Sequence, residues 1–149
     1  MIRRFSLGDL DRILAIEHQA FPKSPYDWVT FMNLQWLYPQ SFWVYVDRPP
    51  DQEEDLLCGY IIFSLNGHII SIAVDPLWRR KRIGTTLIKK IIHHPRTERV
   101  WAEVRLSNQA AQAFYLSLGF QIIGRIQDYY GDEDALIVQR PASKPLETP

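Results

Sequence analysis

Val74-Asp75-Pro76-Leu77-Trp78-Arg79-Arg80-Lys81-Arg82-Ile83-Gly84-Thr85-Thr86 is the stretch on which the fold turns. It leads an apolar strand through four successive cations into a segment with Ile83, Leu87, Ile88, Ile91 and Ile92 at helical spacing, ended by Pro95. Backbone N–H groups at a helix N-terminus are unpaired and carry partial positive charge, so the junction reads as a site for a phosphate-bearing ligand. The next apolar run, 100–104, can lie as a strand parallel to 68–74, which makes the helix a crossover in a βαβ unit.

Upstream, runs 56–65 and 68–74 flank Asn66-Gly67, read as a two-residue hairpin turn because both positions tolerate positive φ. With a strand at 42–46 they form an antiparallel meander. Residues 2–5 read as a short first strand. Ser6 and Asp9 form a capping box before a helix with Leu10, Ile13, Leu14 and Glu17 on one face, which stops near Phe21-Pro22. Asp27 caps a second helix through Phe31, Leu34 and Trp36, whose aromatic load predicts packing or a pocket wall. The polar stretch 47–55 is a solvated loop. Downstream, Asn108 opens a helix through Ala111, Phe114, Tyr115 and Leu118, Gly119 supplies its left-handed last residue, and runs 120–126 and 135–138 close the sheet.

A chain of 149 residues that is 46% hydrophobic suits one domain with one core, expected over 1–140. Pro141, Pro145 and Pro149 predict a disordered tail over 141–149. The one cysteine, Cys58, lies in an apolar strand and reads as a core residue; it excludes an internal disulfide and a cysteine metal site, and no metal is expected. Formal net charge is zero, so the cations at 79–82 are a local feature, which favours a small anionic ligand over a nucleic acid. No run reaches the roughly 20 apolar residues of a membrane span, and the N-terminus lacks the apolar region of a signal peptide. A cytoplasmic protein without a membrane partner is the expectation, as a monomer or weak dimer.

Trp101-Ala102-Glu103-Val104-Arg105-Leu106-Ser107-Asn108 and the following Ala111, Tyr115, Gly119 and Phe120 resemble a motif of the GNAT acetyltransferases. The order of elements over residues 2–139 resembles that family as well. Its cofactor signature is Arg or Gln, two residues, Gly, one residue, then Gly or Ala. Arg79 to Gly84 is similar to it, with Arg82 in place of the first glycine. The closest branch acetylates protein N-termini and includes the RimI-like ribosomal-protein alanine N-acetyltransferases. The resemblance implies an α/β fold whose mixed central sheet, an antiparallel meander plus a splayed parallel pair, is flanked by about four helices.

It also implies acetyl-CoA as cosubstrate. Its pyrophosphate would lie on the turn from Arg79 and Arg80 through Lys81, Arg82, Ile83, Gly84, Thr85 and Thr86. Its pantetheine arm would run along Ile72, Ala73 and Val74, with further contacts from Asn108 and Tyr115. Glu103 matches the position of a base that relieves the acceptor ammonium of its proton, and Tyr115 that of an acid for the departing CoA sulfur. His68 is the alternative base, since imidazole titrates near neutrality. Phe21, Pro22 and Tyr26 resemble the loop that shapes the acceptor's first-residue pocket, and Tyr129-Tyr130 the tyrosine pair of the closing hairpin. Glu17 and the trio Asp132, Glu133 and Asp134 could attract the cationic amine. The implied reaction is direct transfer of acetyl to the α-amine of a protein or peptide, possible also with a ribosomal protein. Acetylation of a small amine or lysine side chain, or a non-catalytic acetyl-CoA-binding module, remain as alternatives.

Overall fold

Alternating burial along Phe42–Asp47, with Phe42, Val44 and Val46 inward, defines a strand with one face on a core. The computed structural model describes residues 1–79 and 81–146. Along the chain run β1 (Ile2–Arg4), α1 (Leu10–Ala20), α2 (Trp28–Leu37), β2 (Phe42–Asp47), β3 (Leu56–Phe63), β4 (Ile69–Val74), α3 (Ile83–Ile92), β5 (Arg99–Arg105), α4 (Gln109–Ser117), β6 (Gln121–Ile126) and β7 (Ala135–Pro141). The mixed α/β fold expected from the sequence is present, with an antiparallel meander β1-β2-β3-β4 and a second antiparallel set β5-β7-β6. β3 is buried along almost its whole length, as the layer between two cores. One core gathers α3, Val100, Ala102, Val104, Tyr115 and Phe120; the other gathers Phe5, Ile13, Ile16, Phe31 and Tyr60 beneath α1 and α2.

The two sets meet along β4 and β5, each an edge of its own set. A single parallel bridge, His68 to Trp101, joins them. Beyond it the strands part and leave a gap edged by backbone groups with no strand partner.

The turn that starts this gap differs from the expected two-residue hairpin. Only Gly67 has positive φ, at +110°, and Ser64 N–H donates to His68 O at 2.9 Å, so three residues, Leu65 to Gly67, close the loop. The reason is tertiary: Trp101 N–H donates to Gly67 O at 3.0 Å. A Cβ on Gly67 would lie 1.8 Å from Arg99 O, so only glycine allows this approach.

The first two capping signals hold in the structure. Ser6 N–H donates to Asp9 at 2.8 Å, and Asp27 accepts from Thr30 N–H at 2.9 Å. The aromatic load of α2 divides: Phe31 packs in the core, as one of the two expectations had it, whereas Trp28 and Trp36 face outward and no α2 residue borders the cleft described below, so the pocket-wall expectation does not hold. Order also extends past Arg140. Pro141 pairs with Arg99 and Ala142 N–H donates to Glu98 O at 2.8 Å. The buried Arg140 guanidinium donates to the carbonyls of Leu118, at 2.6 Å, and Lys144, which holds Leu146 against the core. Residues 147–149 of the expected tail lie outside the described residues. Among the described residues, no helix is long and apolar enough to cross a membrane.

Candidate active site

Arg82 departs from the ordinary turn angles available to most residues and adopts the left-handed conformation, φ +60° and ψ 22°, as the residue that starts α3. The backbone therefore keeps the shape a glycine would give it, at the cost of Cβ strain. Two residues on, a Cβ at Gly84 would meet the Phe114 ring at 2.8 Å, so α3 and α4 touch there through a missing side chain. Arg79, Arg82, Ile83, Gly84 and Thr85 line one side of a cleft of about 820 Å³; Ile72, Ala73, Val74, Asn108 and Tyr115 continue its wall along the gap. Asn108 also caps α4, accepting from Ala111 N–H at 3.0 Å.

Two residues expected on the turn are not on this wall. The Lys81 ammonium sits over the Trp78 ring, 4.5 Å from its centre. Thr86 borders a separate depression with Lys89 and Lys90, because one helical turn carries it round α3. Arg80 lies outside the described residues.

At the point where the strands part, His68 Nε2 and Glu103 Oε2 are 2.6 Å apart. Trp101 and Glu103 share one face of β5, so His68 stacks on the first, with ring centres 5.3 Å apart and planes 6° off parallel, while bonding the second. Glu103 borders the cleft, and His68, which bonds it, is not part of the lining. Partial burial raises the Glu103 pKa, but the hydrogen bond and charge of His68 outweigh burial and leave it below its ordinary value.

Arg105 and Arg125 pair with the acidic run 132–134 rather than with Glu103. Arg105 pairs with Asp132 at 2.8 Å and Glu133 at 3.0 Å, and Arg125 with Asp134 at 2.5 Å. This corrects the expectation that the acidic trio attracts an amine, since its charge is matched internally.

Four tyrosines lie within reach of the Glu103 charge. Burial raises the pKa of Tyr26, Tyr115, Tyr129 and Tyr130, and the nearby Glu103 charge adds to each; Tyr130 is pushed up to about 12. Tyr115, 5% exposed, is wedged edge-on between Phe114 and Phe120. Tyr26, Tyr115 and Tyr130 border the cleft. Tyr129 is off it, half exposed and edge-on to Tyr130 at 4.9 Å. Phe21 borders the cleft too, whereas Pro22 points to solvent.

The loop between α1 and α2 is pinned over this end of the cleft by contacts that local patterns do not reveal. Arg105 donates to Ser24 Oγ at 2.6 Å, and Lys23 reaches Glu133 at 3.4 Å. Partial desolvation raises the Glu133 pKa, but hydrogen bonds from Arg105 and Ser107 bring it down to about 2. Glu17 is buried beneath the loop, accepting from Tyr26 N–H at 2.9 Å and from the Tyr60 hydroxyl, which also meets Ser71 Oγ at 3.0 Å. Burial raises its pKa. It braces the loop against β3 and β4. Cys58 is fully buried, and desolvation pushes its thiol up to about 11, so it is no nucleophile.

The Acetyltransferase (GNAT) family profile matches residues 10–120. An uncharacterized N-acetyltransferase of Methanocaldococcus jannaschii is 34% identical, over 97% of this chain and 94% of that one. An N-alpha-acetyltransferase of Saccharolobus solfataricus is 29% identical, over 94% and 92%. The crystal structure of the ribosomal-protein-S18-alanine N-acetyltransferase from Escherichia coli superposes with a TM-score of 0.71 at 28% identity, over 100% of this chain and 97% of that one. Profile, relatives and superposition all span the cationic turn and the strands that edge the cleft, and the chain belongs to the GNAT acetyltransferase family as an N-acetyltransferase.

Proposed function

We propose that this enzyme transfers acetyl from acetyl-CoA to the N-terminal α-amine of a protein or peptide by direct attack. The observation that carries the proposal is Glu103, held by His68 on the wall of a cleft that Tyr26, Tyr115 and Tyr130 also line. The names of the N-alpha-acetyltransferase and ribosomal-protein alanine relatives support the acceptor class and make a ribosomal protein's N-terminus the first to assay.

Acetyl-CoA suits the other end of the cleft. Its diphosphate needs N–H donors and cations, which the start of α3 offers with Arg79 and Arg82. Its amide-bearing arm needs unpaired backbone partners, which the parted β4 edge offers at Ile72 to Val74. In the reaction, the α-ammonium loses a proton to Glu103, directly or through water, and its freed lone pair attacks the thioester carbonyl. His68 is the positioning partner that keeps the carboxylate ionised and aimed. When the tetrahedral intermediate collapses, the C–S bond breaks, the Tyr115 hydroxyl gives its proton to the thiolate, and the second proton lost by the nitrogen as the amide forms restores the phenol through water. The phenol is protonated at neutral pH and so able to donate, while burial raises its pKa and makes it a weaker acid than a free tyrosine. The Phe21 and Tyr26 loop, with Tyr130, narrows the acceptor end, which suits an extended N-terminus.

The test is mass spectrometry of a peptide panel incubated with labelled acetyl-CoA, beside spermidine and an N-terminally blocked lysine peptide. Label on α-amines, lost with Glu103→Gln, is the expected result. Label confined to lysine or polyamine would overturn the acceptor, and tight acetyl-CoA binding without turnover would overturn catalysis.

A further inference from the structure

α2 is apolar on both sides, unlike α1 and α3. Phe31 and Leu34 face the core. The opposite side presents Trp28, Val29, Trp36 and Leu37 at 60%, 44%, 81% and 56% exposure, with the partly exposed Met32 between the two tryptophans and Asn33 as the one exposed polar residue beside them. Its sequence, Trp28-Val29-Thr30-Phe31-Met32-Asn33-Leu34-Gln35-Trp36-Leu37, contains no charged residue. An exposed helix face of this kind, rich in tryptophan, is the usual mark of an interface.

We propose that the occupant is a second copy of this chain, packed α2 against α2 about a two-fold axis at Met32. A two-fold contact requires a patch that complements itself. Trp28 and Trp36 stand four residues either side of Met32 on one line of the helix, so an antiparallel pair crossing at Met32 sets Trp28 of each copy against Trp36 of the other. The absence of charge removes the like-charge repulsion that a self-contact otherwise suffers. The apolar side chains of two such faces supply roughly 1,000 Å² of buried surface, at the low end for specific association. The dimer is therefore reversible and concentration-dependent. α2 follows directly on the loop carrying Tyr26, so the interface flanks the acceptor end of the cleft in each copy without adding a residue to it.

Sedimentation velocity of the full chain from 1 to 200 µM tests this. The expected result is a shift from monomer to dimer with rising concentration, abolished by Trp36→Glu and by Trp28→Glu. Both side chains are largely exposed, and unchanged circular dichroism will confirm folding. In a Met32→Cys variant the new thiol meets its own counterpart at the axis, and mild oxidation should give a disulfide-linked dimer; Cys58 is buried and stays unreactive. A monomer at 200 µM, as expected if α2 instead serves a different protein, overturns the proposal. So does a dimer that survives both tryptophan substitutions, or one in which Met32→Cys fails to cross-link.

Discussion

Glu103 Oε2 and His68 Nε2 lie 2.6 Å apart although 35 residues separate them in the chain. The contact exists because β4 and β5 touch at one bridge, His68 to Trp101, and part immediately afterwards. One junction thus opens the cleft and places on its wall the carboxylate proposed as the base.

Glu103→Gln should lower kcat by about 100-fold or more, the usual worth of a positioned base. Affinity for acetyl-CoA, measured by calorimetry, should stay within about twofold, because the cofactor end of the wall is untouched. A variant with near wild-type kcat would remove Glu103 from the base role.

His68→Ala should move the acid limb of the pH–rate profile to higher pH. The imidazole lowers the Glu103 pKa in the folded enzyme. Without it, burial dominates, the pKa rises, and the carboxylate is lost at a higher pH as acid is added. The limb belongs to the coupled pair, so its position is the readout, with kcat falling less than in Glu103→Gln. An unmoved limb would show that His68 does not tune the base.

Tyr115→Phe should lower kcat by about 100-fold and leave folding intact, because the hydroxyl makes no structural hydrogen bond among those described. Since burial raises its pKa, the alkaline limb of the wild-type profile should lie well above neutrality. Unimpaired CoA release in this variant would exclude it as the acid.

Arg82 separates charge from strain. Arg82→Ala keeps the strained φ of +60° and loses the cation; Arg82→Gly loses both. The glycine variant should be more stable than the alanine variant by about 1 kcal/mol in urea unfolding. Both should raise KM for acetyl-CoA. Equal stability of the two would mean that the left-handed backbone carries no strain.

Glu133 predicts an acid-sensitive clamp. Its folded pKa of about 2 lies below its ordinary 4.5, so its contribution is present above 4.5 and is lost as pH falls towards 2. Glu133→Gln should show a smaller fall in stability across that window than the wild type. Amide exchange at residues 23–26 should be faster in the variant at neutral pH, since the Lys23 and Arg105 anchors are weakened. Identical acid profiles would rule the clamp out.

Periodicity and capping act over three or four residues, and at that range the sequence by itself determined a great deal. It determined the helices begun by Asp27 and Asn108, the meander, the cationic turn, and the strand and helix bearing Glu103 and Tyr115. Only the tertiary structure decided which groups meet. The Asn66-Gly67 signal named a turn, but the close approach of Arg99 O to Gly67 set its length. Arg105 reaches Ser24 across 81 residues and Lys23 reaches Glu133 across 110, so neither pair leaves a local pattern. The aromatics of α2 carry the same lesson, because composition marks a residue as apolar but not which face of its helix the core will take. Side-chain partners follow from strand register and helix rotation, and both are set only when the two sheets pack.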